Sequence, residues 1–157
     1  MPVHNAAMID PIMIAQPESL WRLANKLSAE SLLAVDTESN SLYAYREQVC
    51  LIQFSTNEQD YLIDPLVLDD LSPLAQLFAN PGIEKIFHAA EYDLICLKRD
   101  FGFTVNNIFD TMMAARVLGR NAVGLATILE VEFNVHVDKR CQRADWGQRP
   151  LDRKSVV

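Results

Sequence analysis

The sequence predicts an α/β domain with a mixed sheet of about five strands flanked by helices. Three observations carry that prediction. Short apolar runs at hairpin spacing come first, and strands alternating with helix-period segments follow. The 157 residues, half of them apolar, suffice for one core and would make two thin ones.

Residues 10–16 (DPIMIAQ) read as a short strand, and Pro17 opens a helix whose Leu20, Leu23, Ala24 and Leu27 recur at helical spacing. Residues 31–35 are a continuous apolar run ending in Asp36-Thr37-Glu38, which suits a strand buried on both faces. Residues 49–54 and 61–63 read as two more strands, with Asn57-Glu58 as a hairpin turn between them. Ser72-Pro73 supplies a cap and a first-turn proline for LAQLFA, and Asn80-Pro81-Gly82 stops that helix. Residues 85–87 form a fifth strand running straight into a helix over about residues 89–100, closed by Gly102. Asp110 caps a helix MMAARVL that ends at Gly119, with Met112 and Met113 as packing, and residues 125–133 form the last helix.

Composition narrows the class. Charged residues make up 22% of the chain, which argues against intrinsic disorder. No apolar run reaches the 18 residues of a membrane span, and no secretory leader pattern is present. Cys50, Cys96 and Cys141 lie far apart without zinc-ligand spacing, so buried, inert thiols in a reducing cytosol are expected. The net charge of −7 counts against a polyanion partner, but the charge is uneven. Residues 138–157 hold 6 of the 14 basic groups and only 3 of the 21 acidic ones. An acidic body with a basic end is either a solvated face, or a set of carboxylate metal ligands beside a phosphate-binding end.

Asp36 and Glu38 are the first chemical anomaly. Residues i and i+2 of a strand share a side, and two carboxylates about 5 Å apart cost about 3 kcal/mol at an effective dielectric near 20. Protonation, an Arg or Lys partner, a bound cation or emergence into solvent removes that cost. Asp93 is the second. On the following helix Ala90, Leu94 and Leu97 form the inward stripe, and Asp93 lies within it or at its border. A single hydrogen bond accounts for it, or it faces the same cavity as the strand pair. Three converging carboxylates suit Mg²⁺ or Mn²⁺ better than zinc.

The segments AVDTESNSL (34–42), QVCLIQF (48–54), YLIDPL (61–66), KIFHAAEYDLICL (85–97), NIFDT (107–111), DKR (138–140) and RADWGQRPL (143–151) resemble ribonuclease D. The resemblance runs in order over nearly the whole chain. It implies a ribonuclease H-like domain over residues 1–157, of the 3′-5′ exonuclease superfamily named for four acidic residues, in its tyrosine subclass. Asp36 and Glu38 match the first motif and Asp93 the second. The family's Tyr-x-x-x-Asp third motif does not follow Leu151, so the domain is expected to be incomplete after about residue 151 and impaired in hydrolysis. By resemblance, Asp36, Glu38 and Asp93 hold two divalent cations, Mg²⁺ or Mn²⁺, and the substrate is a single-stranded RNA 3′ end. The implied products are nucleoside 5′-monophosphates.

Thr37, Leu42 and His88 are the candidate substrate contacts. Each also has a plain structural reading: strand threonine, buried strand-end leucine, satisfied core histidine. Trp146 and Arg149 are expected to have a local structural role, and a catalytically inactive relative that binds nucleic acid or protein is the alternative function.

Overall fold

A computed structural model describes residues 10–138 and 143–151. The elements are β1 (Ile12–Ile14), α1 (Pro17–Leu27), β2 (Leu32–Ser39), β3 (Val49–Ser55), β4 (Asp60–Ile63), α2 (Ser72–Ala79), β5 (Glu84–Phe87), α3 (Glu91–Phe101), β6 (Ile108–Asp110), α4 (Thr111–Val117) and α5 (Leu125–Phe133). One sheet runs β1-β4-β3-β2-β5-β6. β2, β3 and β4 are antiparallel neighbours, whereas β1 pairs with β4, β5 with β2, and β6 with β5 in parallel. The expected mixed sheet is present, with six strands. The extra strand is the three-residue edge β6, too short to show an alternation in sequence.

One face of the sheet carries the main core. Leu33 and Val35 of β2, Ile52 and Phe54 of β3, and Ile63 of β4 are buried with Leu20 and Leu27 of α1 and with Leu74 and Phe78 of α2. Burying a Leu or Phe side chain contributes about 1.5–3 kcal/mol, so this cluster is the main source of stability. Lys85 of β5 is fully enclosed there. Its Nζ donates to the carbonyls of Asn80 (2.6 Å) and Ile83 (2.8 Å), just past the C-terminal end of α2.

The opposite face is covered less evenly. Cys50, Leu51 and Leu62 pack beneath Trp146. That strap is held by Arg149, whose Nε and Nη2 each donate to the buried Asp64 carboxylate at 2.7 Å while Nη2 also reaches the Cys50 carbonyl at 2.9 Å. The local role expected of Trp146 and Arg149 is therefore what the structure shows. The expectation that residues 31–35 are buried on both faces is corrected: Leu32 is exposed and Ala34 half-buried, because this part of the second face opens into a cleft. Met113 is likewise exposed rather than packed, and α5 buries none of its residues. Cys50 and Cys96 are buried free thiols whose ionisation burial disfavours; Cys141 lies outside the described residues, as does most of the basic end.

Candidate active site

β2 delivers Asp36 and Glu38 near its C-terminal end, where its register with β3 shifts between Glu38 and Ser39. Beside it, β5 runs parallel and turns at once into α3. The connection is only three residues, and Ala89 within it takes a left-handed backbone at φ 62°. This tight turn puts Asp93 in the first turn of α3, next to β2. Its Oδ1 accepts a 2.5 Å hydrogen bond from the Thr37 hydroxyl. Asp93 is buried, as the helical stripe predicts.

The electrostatics follow from that convergence. Burial, reinforced by the charge of Asp93, pushes the Asp36 carboxyl up to about 6, against a backbone N–H bond from Thr37. Asp36 nevertheless opens onto the cleft. Burial, then Asp36 and Asp93, push Glu38 up to about 7. Burial also raises Asp93, while the Thr37 hydroxyl stabilises its charged form. Among the described residues none of the three forms an ion pair with Lys or Arg.

Asp36 also lines a cleft of about 350 Å³ together with Gln53, Ser55, His88 and Thr111, over a floor that includes Ala34, Ile86 and Leu125. Thr111 donates its one hydroxyl proton to the Phe87 carbonyl at 3.0 Å. Its contact with His88 Nδ1, at 2.9 Å, is then a bond donated by the imidazole, which leaves Nε2 as the acceptor of the neutral ring. His88 therefore has a structural partner and a place on the cleft wall. Leu42 is not a buried strand-end leucine: it stands in the turn after β2, 67% exposed.

The donor set fits divalent cations. It consists of hard carboxylate oxygens partly withdrawn from water and, among the described residues, without a basic partner, a combination that a dication relieves. Among the described residues no three His, Cys, Asp or Glu side chains are yet gathered into a ready-made metal cage. Asp93 in particular is turned to Thr37.

Two features escaped the sequence reading. Tyr92 donates its hydroxyl to Glu47, which also pairs with Arg99 at 2.7 Å, so α3 is tied to the loop before β3. Asp110 caps α4 as expected, accepting from the N–H groups of Met112 and Met113, but it also accepts from Ala89 and Ala90. A DT pair before a helix signals only the first role, because the other partners lie some twenty residues upstream.

Residues 11–156 match the 3′-5′ exonuclease family. Exosome complex exonuclease RRP6 of Saccharomyces cerevisiae is 40% identical over 144 residues, which cover 91% of this chain and 20% of that protein. The catalytic core of RRP6 from Trypanosoma brucei superposes with a TM-score of 0.91 at 33% identity, over 99% of this chain and 43% of that one. Ribonuclease D of Escherichia coli gives 0.87 at 34% identity, over 94% of this chain and 40% of that one. The chain spans about a fifth of the length of its curated RRP6-type relatives and 38% of a curated ribonuclease D. Exonucleases of this family depend on divalent metal ions. With its six-stranded mixed sheet, its acidic corner at the β2–α3 junction and these likenesses, the chain belongs to the 3′-5′ exonuclease family, with the ribonuclease H-like fold of ribonuclease D and RRP6.

Proposed function

We propose that this domain removes nucleotides from single-stranded RNA 3′ ends, as a metal-dependent exoribonuclease of the ribonuclease D type working in RNA processing. The observation that supports the reading is the Thr37–Asp93 hydrogen bond, which brings the helix carboxylate against the β2 residue that stands between Asp36 and Glu38. Asp36, Glu38 and Asp93 hold the cations, two Mg²⁺ or Mn²⁺. When bound, such a pair of ions activates water and neutralises charge on the leaving 3′ oxygen.

The chain's own residues set the conditions for that chemistry. Asp36 and Glu38 bind metal in their charged forms, so metal binding displaces their protons. Thr37 fixes the Asp93 carboxylate through its hydroxyl. Leu42, exposed just beyond β2, offers an apolar surface to the terminal base, and His88 presents its free ring nitrogen from the cleft wall. A single strand is favoured because duplex ends keep their bases stacked and paired, whereas unstacked bases can be splayed into a site. Among the described residues no helix is long and apolar enough to cross a membrane; the cytosol remains our proposed compartment.

The test is Mn²⁺-dependent shortening of a 5′-labelled single-stranded oligoribonucleotide, with calorimetric Mn²⁺ titration alongside. Slow release of nucleoside 5′-monophosphates, lost in Asp36→Asn and in Asp93→Asn together with Mn²⁺ affinity, is expected. Mn²⁺ bound equally well by the combined Asp36→Asn/Asp93→Asn variant would overturn the assignment of the site.

A further inference from the structure

The Asp110 carboxylate makes more bonds than a helix cap needs. Oδ1 accepts from the N–H groups of Met112 (2.8 Å) and Met113 (3.2 Å), the second and third positions of α4. The same oxygen accepts from Ala89 at 3.1 Å, and Oδ2 accepts from Ala90 at 2.9 Å. One side chain therefore closes the N-termini of two helices, and Ala90 is the N-cap of α3. Four N–H donors outweigh the burial of this carboxylate and hold it ionised below the usual range.

The second pair of bonds lies where the backbone is least comfortable. Ala89 sits at φ 62°, a conformation that an L side chain with a Cβ seldom adopts unless its surroundings enforce it. Asp110 grips the N–H of Ala89 itself and of the next residue. Thr111 supports the same turn, bonded to Phe87 and His88. Asp93 follows Ala90 by three residues within the same helical turn, where the Ala90 carbonyl accepts from Leu94 at 2.9 Å. A helix turn moves as a unit, so the angle at which the chain leaves Ala89 decides where the Asp93 carboxylate stands. Metal ligation tolerates displacements of only a few tenths of an ångström.

We propose that Asp110 is a positioning residue of the exonuclease site: by clamping the β5–α3 turn it sets where Asp93 presents its carboxylate to the metal. This rests on the assignment of Asp93 as a metal ligand made above.

Serine separates the two roles of Asp110. As an N-cap its hydroxyl still accepts from the second and third N–H of α4, but it is too short to reach back to Ala89 and Ala90. In the 157-residue chain, Asp110→Ser is expected to stay folded at 25 °C by thermal unfolding and to bind Mn²⁺ about tenfold more weakly by calorimetry, the scale of lost support behind a metal ligand. On single-stranded RNA, kcat falls and KM is unchanged. Adding Ala89→Gly, which lets residue 89 hold a positive φ without a clamp, is expected to recover much of the Mn²⁺ affinity; a cap serving only α4 would not be rescued this way. Mn²⁺ affinity of Asp110→Ser within twofold of the parent, or no recovery on adding Ala89→Gly, would overturn the proposal. Should the serine variant not fold, Asp110→Asn carries the comparison, since its Nδ2 then faces the Ala90 N–H in place of an acceptor. Asp93→Asn run in parallel separates the two assignments. If it binds Mn²⁺ like the parent, the ligand assignment has failed; if it loses Mn²⁺ while Asp110→Ser does not, the clamp alone has failed.

Discussion

Acidification from pH 8 to 5.5 is expected to stabilise the metal-free domain, contrary to the behaviour of carboxylates held in ion pairs. Asp36 and Glu38 have folded-state values of about 6 and about 7, above ordinary values of 3.8 and 4.5. Between those limits the folded chain binds protons that the unfolded chain does not, so this contribution is fully present below the unfolded values and is lost as pH rises through 6 to 7. At 1.36 kcal/mol per pH unit, either shift alone corresponds to about 3 kcal/mol. Asp36 opens to solvent, and the first proton taken up relieves the second group as well, so about 1 kcal/mol each is the appropriate scale after screening. A total near 2 kcal/mol moves the thermal midpoint by about 4–8 °C in a domain of this size. The assay is thermal unfolding in EDTA across that range, for the parent and for Asp36→Asn/Glu38→Gln. The difference between the two proteins isolates these groups from every other titration. Parallel pH profiles would refute the strain assigned to this corner. Mn²⁺ at pH 8 is expected to replace the protons, raising stability by about 2.7 kcal/mol at one hundred times its Kd.

Three substitutions test the framework around the site by urea unfolding. Arg149→Met leaves the Asp64 carboxylate buried without its bidentate partner and frees the Trp146 strap; a loss of about 3–5 kcal/mol is expected, and a loss under 1 kcal/mol would contradict the clamp. Lys85→Met strands the carbonyls of Asn80 and Ile83 in the core and should cost about 1–3 kcal/mol, visible as a lower urea midpoint at constant slope. Thr37→Val removes the donor to Asp93, raising the Asp93 pKa further and weakening Mn²⁺ binding with a stability change of about 1 kcal/mol. Unchanged Mn²⁺ affinity in that variant would remove Thr37 from the site.

The site was legible where chemistry is encoded within one element. Asp36 and Glu38 stand two apart on an apolar strand, and Asp93 interrupts an apolar helical stripe, so periodicity alone marks each as anomalous. Their meeting depends on β5 lying parallel to β2 and on the turn at Ala89. No local pattern states this, and resemblance to a family supplied it. Asp110 shows the limit most clearly, since its sequence context announces the cap it makes forward and conceals the clamp it makes backward. β6 has no sequence signature because three residues carry no period, and Leu42 admits two readings because exposure at a strand end depends on where the following turn goes. The exposed face of α4 is beyond reach for another reason: Met113 reads as packing, and packing is a property of what lies opposite.

Among the described residues no Lys or Arg pairs with the carboxylates of this corner, and that decides how RNA is expected to bind. Lys85 is spent on carbonyls, Arg99 on Glu47 and Asp100, and Arg149 on Asp64. Among the described residues the corner's carboxylates have no cationic partner, and in a chain of net charge −7 their field repels a phosphodiester. A dication reverses the sign where the scissile phosphate has to sit, so metal binding should come first and RNA affinity should follow it. Filter binding of single-stranded RNA at fixed ionic strength is therefore expected to rise at least tenfold, about 1.4 kcal/mol, as Mn²⁺ replaces an equivalent ionic strength of Na⁺. The rise should vanish in Asp36→Asn/Asp93→Asn. Affinity that is undiminished in EDTA would mean that a basic surface away from this corner holds the RNA, and that the acidic residues act only after capture.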